Sequence, residues 1–314
     1  MDDIIRRIEQ QAGVPDLAAL LAQRLAPTDL QSLLLEVYRR RTHDRSPAQV
    51  LADFGTDRFV KSSSISPVRL LKWECAAFGA LPPEVEPVAL SPVCPLGTSS
   101  AVAAVGQDWA VTTTRNTEVI SDATKVLALV CAQRRKGLLK DDPKAATPVH
   151  LAASHRLLRS QHYDNPDRAS HFGLFALCSG GRSRGGLTFE IEVLKLHVCV
   201  YVQALRIFLG SDVALQLGVS DFSAHNRKAL VEAQLLEPLR EAFPNLACGF
   251  DDARTGGRGY YQDLCFHLYG TSPVGQLVEL ADGGVVDWTQ KLLSNAKERL
   301  VISGIGSERV CSEF

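Results

Sequence analysis

One long apolar segment with helical spacing, from about residue 190 to 208, constrains the fold of this chain most strongly. Shorter apolar segments of strand length lie on both sides of it, without the regular alternation of strands and helices that βαβ units produce. This order predicts an α+β fold in which an antiparallel β-sheet is flanked by helices. The predicted strands cover residues 85–90, 101–105, 109–114, 150–159, 172–177, 213–219, 261–269, 275–280 and 300–305.

The first sixty residues differ from the rest, because their pattern predicts only short helices. Asp16 can cap one helix, a second follows Pro27, and a third begins at Ser46. A run of three serines, 62–64, is typical of a linker. We therefore predict two units, an N-terminal helical segment over residues 1–62 and a larger domain over residues 63–314.

The composition is that of a globular protein. The 314 residues include 34 basic and 35 acidic side chains, and a net charge of -1 gives no general attraction to nucleic acid. The stretch most like a membrane span, 196–209, contains Arg206 and is shorter than the roughly 20 residues that a bilayer requires. The N-terminus lacks the basic and apolar regions of a signal peptide. We expect a cytoplasmic protein with no membrane partner, whose eight cysteines are reduced core thiols.

Two groups of arginines lie where they can contact a charged ligand. Arg159 and Arg168 flank a polar loop before Phe172. Arginine offers paired donors to phosphate or carboxylate oxygens, and an aromatic ring offers a stacking face to a purine. Farther along, Gly304 and a second glycine precede Arg309, and glycines permit close approach of the backbone to a ligand. Taken singly, each group is also typical of an exposed turn.

A third group combines glycines with tyrosines. Arg258 and Gly259 run into Tyr260 and Tyr261, and a predicted Gly-Gly turn follows Asp282. Glycine clusters that meet strands suggest a pocket wall built from backbone, with tyrosine hydroxyls to orient a polar ligand. Two surface turns are the alternative interpretation.

The order of these groups resembles the catalytic core of class II aminoacyl-tRNA synthetases, closest to the histidyl type. The resemblance covers roughly residues 66–314. Segment 159–172 is similar to motif 2 of that family and segment 304–309 to motif 3. The predicted helix 67–81 and strand 85–90 look like motif 1, the dimer element, so the resemblance implies a homodimer.

The resemblance also implies a reaction, in which a carboxylate attacks ATP to give an acyl-adenylate and pyrophosphate. The implied catalytic residues are Arg159 and Arg258. The implied nucleotide-binding residues are Arg159, Arg168, Phe172, Gly304, Gly306 and Arg309. The implied residues for a small amino or carboxylic acid are Arg115, Glu118, Asp122, Thr124, Tyr260 and Tyr261. Mg²⁺ is the implied metal cofactor beside ATP, and its candidate contacts are Glu279, Asp282 and Asp287.

The sequence departs from the family pattern at several points. Gln161 stands where motif 2 usually has an acidic residue, and Tyr260 follows Gly259 directly where the histidyl type has two further residues. Only five residues follow Arg309, so we expect no anticodon-binding domain and no conventional contact with tRNA. The identity of the acid and of the acceptor stays open.

Two functions fit these observations. The first is a stand-alone adenylate-forming enzyme that activates a small acid for transfer to an acceptor. The second is a catalytically inactive ligand sensor, similar to the synthetase-like regulatory subunit of ATP phosphoribosyltransferase. Binding of nucleic acid through the N-terminal helices and the basic cluster 39–45 is a separate hypothesis, which would show as a steep dependence on salt.

Overall fold

A computed structural model describes residues 2–161, 170–223 and 225–314. Its helices are α1 (Asp2–Ala12), α2 (Leu17–Ala19), α3 (Pro27–His43), α4 (Pro47–Thr56), α5 (Pro67–Gly79), α6 (Ala123–Asp141), α7 (Thr188–Leu209), α8 (Lys228–Val231), α9 (Glu237–Ala242), α10 (Trp288–Leu293) and α11 (Ser307–Glu313). Its strands are β1 (Val85–Pro87), β2 (Val93–Pro95), β3 (Thr117–Val119), β4 (Val149–Leu158), β5 (His171–Arg182), β6 (Leu215–Asp221), β7 (Leu246–Phe250), β8 (Leu264–Thr271), β9 (Leu277–Val286) and β10 (Glu298–Gly306).

The centre of the fold is an eight-stranded sheet in the order β1-β4-β5-β10-β9-β8-β6-β7. Its five inner pairings are antiparallel, and the edge pairs β1 with β4 and β6 with β7 are parallel. Strands β2 and β3 form a separate two-stranded sheet. The predicted antiparallel sheet flanked by helices is therefore confirmed, with parallel pairing added at its edges.

Helices cover both faces of the large sheet, because the inner strands alternate apolar side chains between two cores. On the α7 face, Phe175 packs in one core with Trp73 of α5 and Tyr201 of α7. On the α6 face, Ile302 packs in a second core with Leu127 of α6 and with Trp288 of α10. The predicted long helix is α7, which packs against β5, β9 and β10 in the middle of the sheet.

The strand predicted over 101–105 is wrong, and the one predicted over 109–114 is reduced to an isolated antiparallel β-bridge between Thr112 and Glu118. The chain forms a π-helix over Thr98–Val102 and a 3₁₀-helix over Gln107–Trp109 instead. The cause is the buried carboxylate of Glu118, whose two oxygens accept the backbone N–H groups of Gly97 at 3.0 Å and Ser99 at 2.8 Å. These hydrogen bonds hold the start of the π-helix and replace strand pairing.

The Gly-Gly turn predicted after Asp282 is also wrong, since Gly283 and Gly284 lie inside β9. A Cβ atom added to Gly283 would lie 2.3 Å from the Cβ of Ser303 on β10. A Cβ atom added to Gly284 would lie 2.7 Å from the ring of Tyr261. Both distances are shorter than any real contact. These glycines therefore allow neighbouring groups to lie directly against the strand, and they do not form a turn.

A buried ion pair joins α6 to the sheet. The guanidinium of Arg135 donates from Nε and Nη2 to the two carboxylate oxygens of Glu298 on β10, each at 2.8 Å. Both side chains have 0% exposure. Arg135 also donates to the backbone carbonyl groups of Ala145 and Thr147, so each of its three nitrogen atoms has a hydrogen-bond partner.

The N-terminal helices lie on the outside of the molecule. In the described part of α1 to α4, no side chain is buried. After α4, Arg58 bonds to the chain just beyond β4, where it donates to the backbone oxygens of Ser160 at 2.6 Å and Gln161 at 2.9 Å. None of the described helices is long and apolar enough to cross a membrane. The boundary near residue 62 stays a prediction.

Candidate functional site

A cavity of about 660 Å³ opens on the α6 face of the sheet. Its floor is formed by β9 and β10, and its walls by the first turn of α6, the end of β4, the loop 104–109 and the loop before β8. It brings together seven of the predicted site residues: Asp122, Thr124, Arg159, Tyr260, Tyr261, Asp282 and Gly304. These residues come from five separate parts of the sequence, so the cavity is a property of the fold.

Asp122 organises the wall at the start of α6. It is the N-cap residue, and its Oδ1 accepts the Thr124 backbone N–H at 3.0 Å and the Thr124 hydroxyl at 2.8 Å. Aspartate is favoured there because a helix leaves its first N–H groups without partners. The other carboxylate oxygen, Oδ2, lies 3.6 Å from Nη2 of Arg159. One side chain therefore fixes both the helix start and the cation opposite.

Arg159 follows the last residue of β4 and lies between Asp122 on one side and the ring of Phe172 on the other. Its Nε donates to the backbone oxygen of Ser121 at 2.9 Å, which fixes the plane of the guanidinium group. Its Cζ lies 5.0 Å from the centroid of the Phe172 ring, a cation–π contact. Phe172 itself is half-buried and lies beside the cavity instead of on its wall. The Arg159 cation thus joins an aromatic surface to the acid-lined side of the cavity.

Two tyrosines from the loop before β8 lie against an aspartate of the cavity floor. The hydroxyl of Tyr261 donates to Oδ2 of Asp282 at 2.8 Å. Burial raises the pKa of Asp282, and the hydrogen bond from Tyr261 opposes that rise. Burial also raises the pKa values of Tyr260 and Tyr261 well above the ordinary value. The two phenols therefore act as neutral hydrogen-bonding groups near neutral pH.

Other predicted residues lie outside the cavity wall. Arg115 is exposed in the turn before β3, and Glu118 is buried behind the wall, where its oxygens bind Gly97, Ser99 and Gln107. Arg258 is exposed, and its Cζ lies 4.7 Å from the centroid of the Phe222 ring.

The motif 3 residues lie at the end of β10. Gly306 closes the strand, and Arg309 is exposed on α11, where its Nη1 donates to the backbone oxygen of Glu279 at 2.8 Å. Arg168 lies outside the described residues.

The three candidate Mg²⁺ contacts do not form a metal site. Glu279 is exposed, Asp282 faces the cavity, and the Asp287 carboxylate lies 2.9 Å from Nζ of Lys291. Within the described ranges, no group of three or more His, Cys, Asp or Glu side chains could hold a metal ion. These carboxylates therefore do not fit a preformed Mg²⁺ site.

Two cations near the cavity were missed by the sequence reasoning. Lys125 lines the cavity from the first turn of α6 and is 5% exposed. Arg254 is 8% exposed beside Tyr261, with 5.6 Å between its Cζ and the ring centroid. Its Nη1 is buried and has no hydrogen-bond partner among the residues that the structure describes. Both had a signal in the sequence. Lys125 lies in the same helical turn as Thr124, and Arg254 begins the segment 254–261 that also contains Arg258, Tyr260 and Tyr261.

A chain of hydroxyl and imidazole groups lies beneath the cavity, on the α7 face. Tyr201 bonds the hydroxyl of Ser303 at 2.8 Å, and Ser303 bonds Nδ1 of His197 at 2.8 Å. The Nε2 of His197 then bonds Ser179 at 2.9 Å, and Ser179 bonds His150 at 2.8 Å. Burial lowers the pKa of His197 to about 3, so the ring is neutral at neutral pH. Neutral imidazole can both donate and accept, as this chain requires.

Comparison with known proteins identifies the fold alone. No model of a protein family matches the chain, and no curated protein matches its sequence. A structure described as an ATP phosphoribosyltransferase regulatory subunit/histidyl-tRNA synthetase from Bacillus halodurans C superposes with a TM-score of 0.57 and 13% identity, over 82% of this chain and 84% of that one. Apo histidyl-tRNA synthetase from S. aureus gives a TM-score of 0.55 and 14% identity, over 79% of this chain and 67% of that one.

A histidine–tRNA ligase subunit from Alicyclobacillus acidocaldarius gives a TM-score of 0.56 and 16% identity, over 82% of this chain and 96% of that one. The chain therefore has a class II synthetase-like fold, similar to that of histidyl-tRNA synthetases and of the regulatory subunit type. At this level of identity, the likeness shows the fold, and any chemistry has to be inferred from the residues of the cavity.

Proposed function

We propose that this domain binds ATP beside a small amino or carboxylic acid and joins the two as an acyl-adenylate. The observation that carries this proposal is the position of Arg159. It lies on the cavity wall, is oriented by Ser121 and Asp122, and contacts the face of Phe172. An adenine stacked on Phe172 and an acid held near Asp122 would meet at this guanidinium group.

Adenylate formation requires positive charge and correct positioning of the two reactants more than it requires a general base. A carboxylate oxygen of the acid forms a bond to the α-phosphorus, the bond to the bridging oxygen of pyrophosphate breaks, and no proton needs to be removed. Negative charge grows on the non-bridging oxygens of the α-phosphate, where a preoriented guanidinium group can stabilise it. Holding both reactants in one cavity also lowers the entropic cost of their encounter.

Other residues suit supporting parts in this scheme. Asp122 and Thr124 present oxygen atoms to an amine or a hydroxyl of the acid, and Tyr260 offers a further neutral hydroxyl. Gly304 lies on the cavity floor, where its lack of a side chain leaves room for Leu174, which also lines the cavity. Arg309 and Arg168 are the candidates for the distal phosphates. Since the carboxylates provide no preformed site, Mg²⁺ is proposed only as the ion that accompanies ATP on its own phosphate oxygens.

A ligand sensor is the second candidate, and the position of Arg258 favours it. This implied catalytic residue is exposed and lies on Phe222, away from the cavity wall. One structural neighbour is described as an ATP phosphoribosyltransferase regulatory subunit/histidyl-tRNA synthetase. A sensor would use the same cavity to bind a ligand and transmit its presence to a partner subunit.

The experiment that separates the two functions is ATP–pyrophosphate exchange. The full chain is incubated with Mg-ATP, labelled pyrophosphate and a panel of amino acids and small carboxylates, while ATP binding is measured by calorimetry. Exchange that depends on one panel member supports the enzyme. ATP binding without exchange for any member favours the sensor, and the absence of ATP binding contradicts the enzyme proposal.

A further inference from the structure

The wall of the cavity contains a buried ammonium group that the proposed reaction does not use. Lys125 lies one residue after Thr124, in the first turn of α6, and lines the cavity. Only 5% of the residue is exposed. Its Nζ donates to the hydroxyl groups of Ser99 at 3.2 Å and Ser121 at 3.3 Å, which are themselves buried. The ammonium group is therefore held in a fixed position by neutral partners.

The nearby carboxylates are engaged elsewhere. Glu118 accepts hydrogen bonds from Gly97, Ser99 and Gln107, and Asp122 accepts from Thr124 and pairs with Arg159. In the described ranges of the chain, no carboxylate oxygen lies within the 4.0 Å of Nζ that defines an ion pair. Lys125 therefore carries a buried positive charge without a direct anionic partner.

Such a charge is costly to bury unless an anion accompanies it. Burial is the largest influence on the pKa of Lys125 and lowers it, the Arg159 cation lowers it further, and the carboxylates of Asp122 and Glu118 act in the opposite direction. The net lowering means that the protein's own carboxylates do not offset the cost of burial. A bound anion would do so, since the cavity gives a ligand access to the wall that Lys125 forms.

We propose that Lys125 binds a second, non-reacting anionic group of the substrate, so that the cavity takes a small acid with two anionic groups. This inference rests on the proposed function. One carboxylate reacts at the α-phosphate beside Arg159. The other offsets the charge of Lys125 and replaces the long hydrogen bonds that its Nζ donates to Ser99 and Ser121. A substrate with one carboxylate offers a single negative charge to two cations. A side-chain amide can accept a hydrogen bond from Lys125 but cannot offset its charge.

The test compares acids with their matched amides. Calorimetry on the full chain, with and without ATP, measures the binding of aspartate, glutamate and succinate and of asparagine, glutamine and succinamate. We expect at least one diacid to bind about tenfold or more tightly than its amide, the scale of a hydrogen bond to a charged group. Lys125→Met keeps the length of the side chain without its charge, and should abolish this preference while ATP affinity stays within about twofold. Lys125→Arg keeps the charge and should retain the preference, which controls for damage to the fold.

The inference is overturned if none of the diacids binds, if an amide binds as tightly as its acid, or if Lys125→Met keeps the preference for the diacid. These outcomes are distinct from failure of the proposed function. If only a monocarboxylate supports pyrophosphate exchange, the adenylation proposal holds and the proposed role of Lys125 is wrong. If a diacid binds in a way that depends on Lys125 but supports no pyrophosphate exchange, the Lys125 site holds and the adenylation proposal is wrong.

Discussion

Arg135 and Glu298 form a bidentate ion pair in which neither side chain is exposed, with both N–O distances at 2.8 Å. The pair connects α6, which follows the N-cap Asp122 and carries Lys125 in its first turn, to β10, which forms part of the cavity floor. The cavity therefore depends on an electrostatic contact that lies well behind it.

Replacing Glu298 by Ala should lower the free energy of unfolding by about 3–5 kcal/mol, because it leaves the Arg135 charge buried without a partner. Urea denaturation followed by circular dichroism measures this loss. Glu192→Ala is the matched control, since the exposed pair of Glu192 with Arg184 should contribute only about 0–1 kcal/mol. Equal losses in the two variants would contradict the structural importance of the buried pair.

Replacing Arg159 by Ala should reduce the rate of adenylate formation by about 10² to 10³, the usual effect of removing one preorganised donor. The affinity for ATP should fall less, since only an interaction that strengthens in the transition state accelerates the step. Pyrophosphate exchange and calorimetry on the same samples give the two quantities. An unchanged exchange rate would mean that the pocket is used without Arg159.

Replacing Arg309 by Ala should weaken the binding of ATP by about 1.5 to 3 kcal/mol, the range for a hydrogen bond to a charged group. The exposed guanidinium group of Arg309 is held on the backbone of Glu279, so it is positioned before a ligand arrives. Arg184→Ala, an exposed arginine that is absent from the cavity wall, serves as control. If the folded Arg309→Ala protein binds ATP as tightly as the wild type, the assignment of motif 3 fails.

The buried histidine of the hydroxyl and imidazole chain should make stability depend on pH. The pKa of His197 is about 3 in the folded protein, below the ordinary value of 6.5. Its stabilising contribution is therefore complete above pH 6.5 and is lost as the pH falls from there toward 3.

We expect the wild type to lose up to about 1.4 kcal/mol more per pH unit than His197→Gln does, the value for one extra proton bound on unfolding. Denaturation between about pH 7 and pH 5 measures this difference above the range in which most carboxylates titrate. His43→Gln, at an exposed position, is the control and should keep the wild-type slope. Parallel slopes for the wild type and His197→Gln would contradict a neutral buried His197.

A homodimer is expected through α5 and β1, the elements that resemble motif 1. Val68 and Leu71 of α5 are 62% and 60% exposed, and Cys75, one turn farther along, is exposed as well instead of lying in the core as predicted. Residues at this spacing share one helix face. Light scattering should give twice the chain mass of 34.2 kDa.

Replacing Leu71 by Glu should shift this mass toward that of the monomer, because the charge would be buried in a dimer interface. Leu51→Glu changes an exposed leucine of α4 and should leave the dimer intact. A wild-type monomer that persists at high concentration would contradict the motif 1 interpretation.

The sequence predicted the parts of the fold whose pattern is local. Helix α7 and the paired strands β4 and β5 have long apolar periodicities, and the antiparallel sheet followed from them. The loops around Glu118 were beyond this reasoning, because a buried carboxylate bonded to the backbone of Gly97 and Ser99 overrides the strand preference of residues 101–105.

The candidate site was predictable in part for a related reason. Asp122 and Arg159 belong to groups recognised by their order in the chain. In the structure, Oδ2 of Asp122 lies 3.6 Å from Nη2 of Arg159. The burial of Lys125 could not be foreseen, because it depends on Ser99, which lies 26 positions earlier in the sequence. A lysine in the first turn of a helix is ordinarily a solvated side chain.

The adjacent glycines of β9 limit how this cavity can diverge. Gly283 and Gly284 face opposite sides of the strand, and a side chain at either position would collide with the neighbouring strands or with Tyr261. Tyr261, which lines the cavity, can consequently lie against β9 only while position 284 carries no side chain. A change of ligand specificity is therefore expected to disturb the sheet least when it falls on the wall, in loop 104–109, the loop before β8 or the first turn of α6.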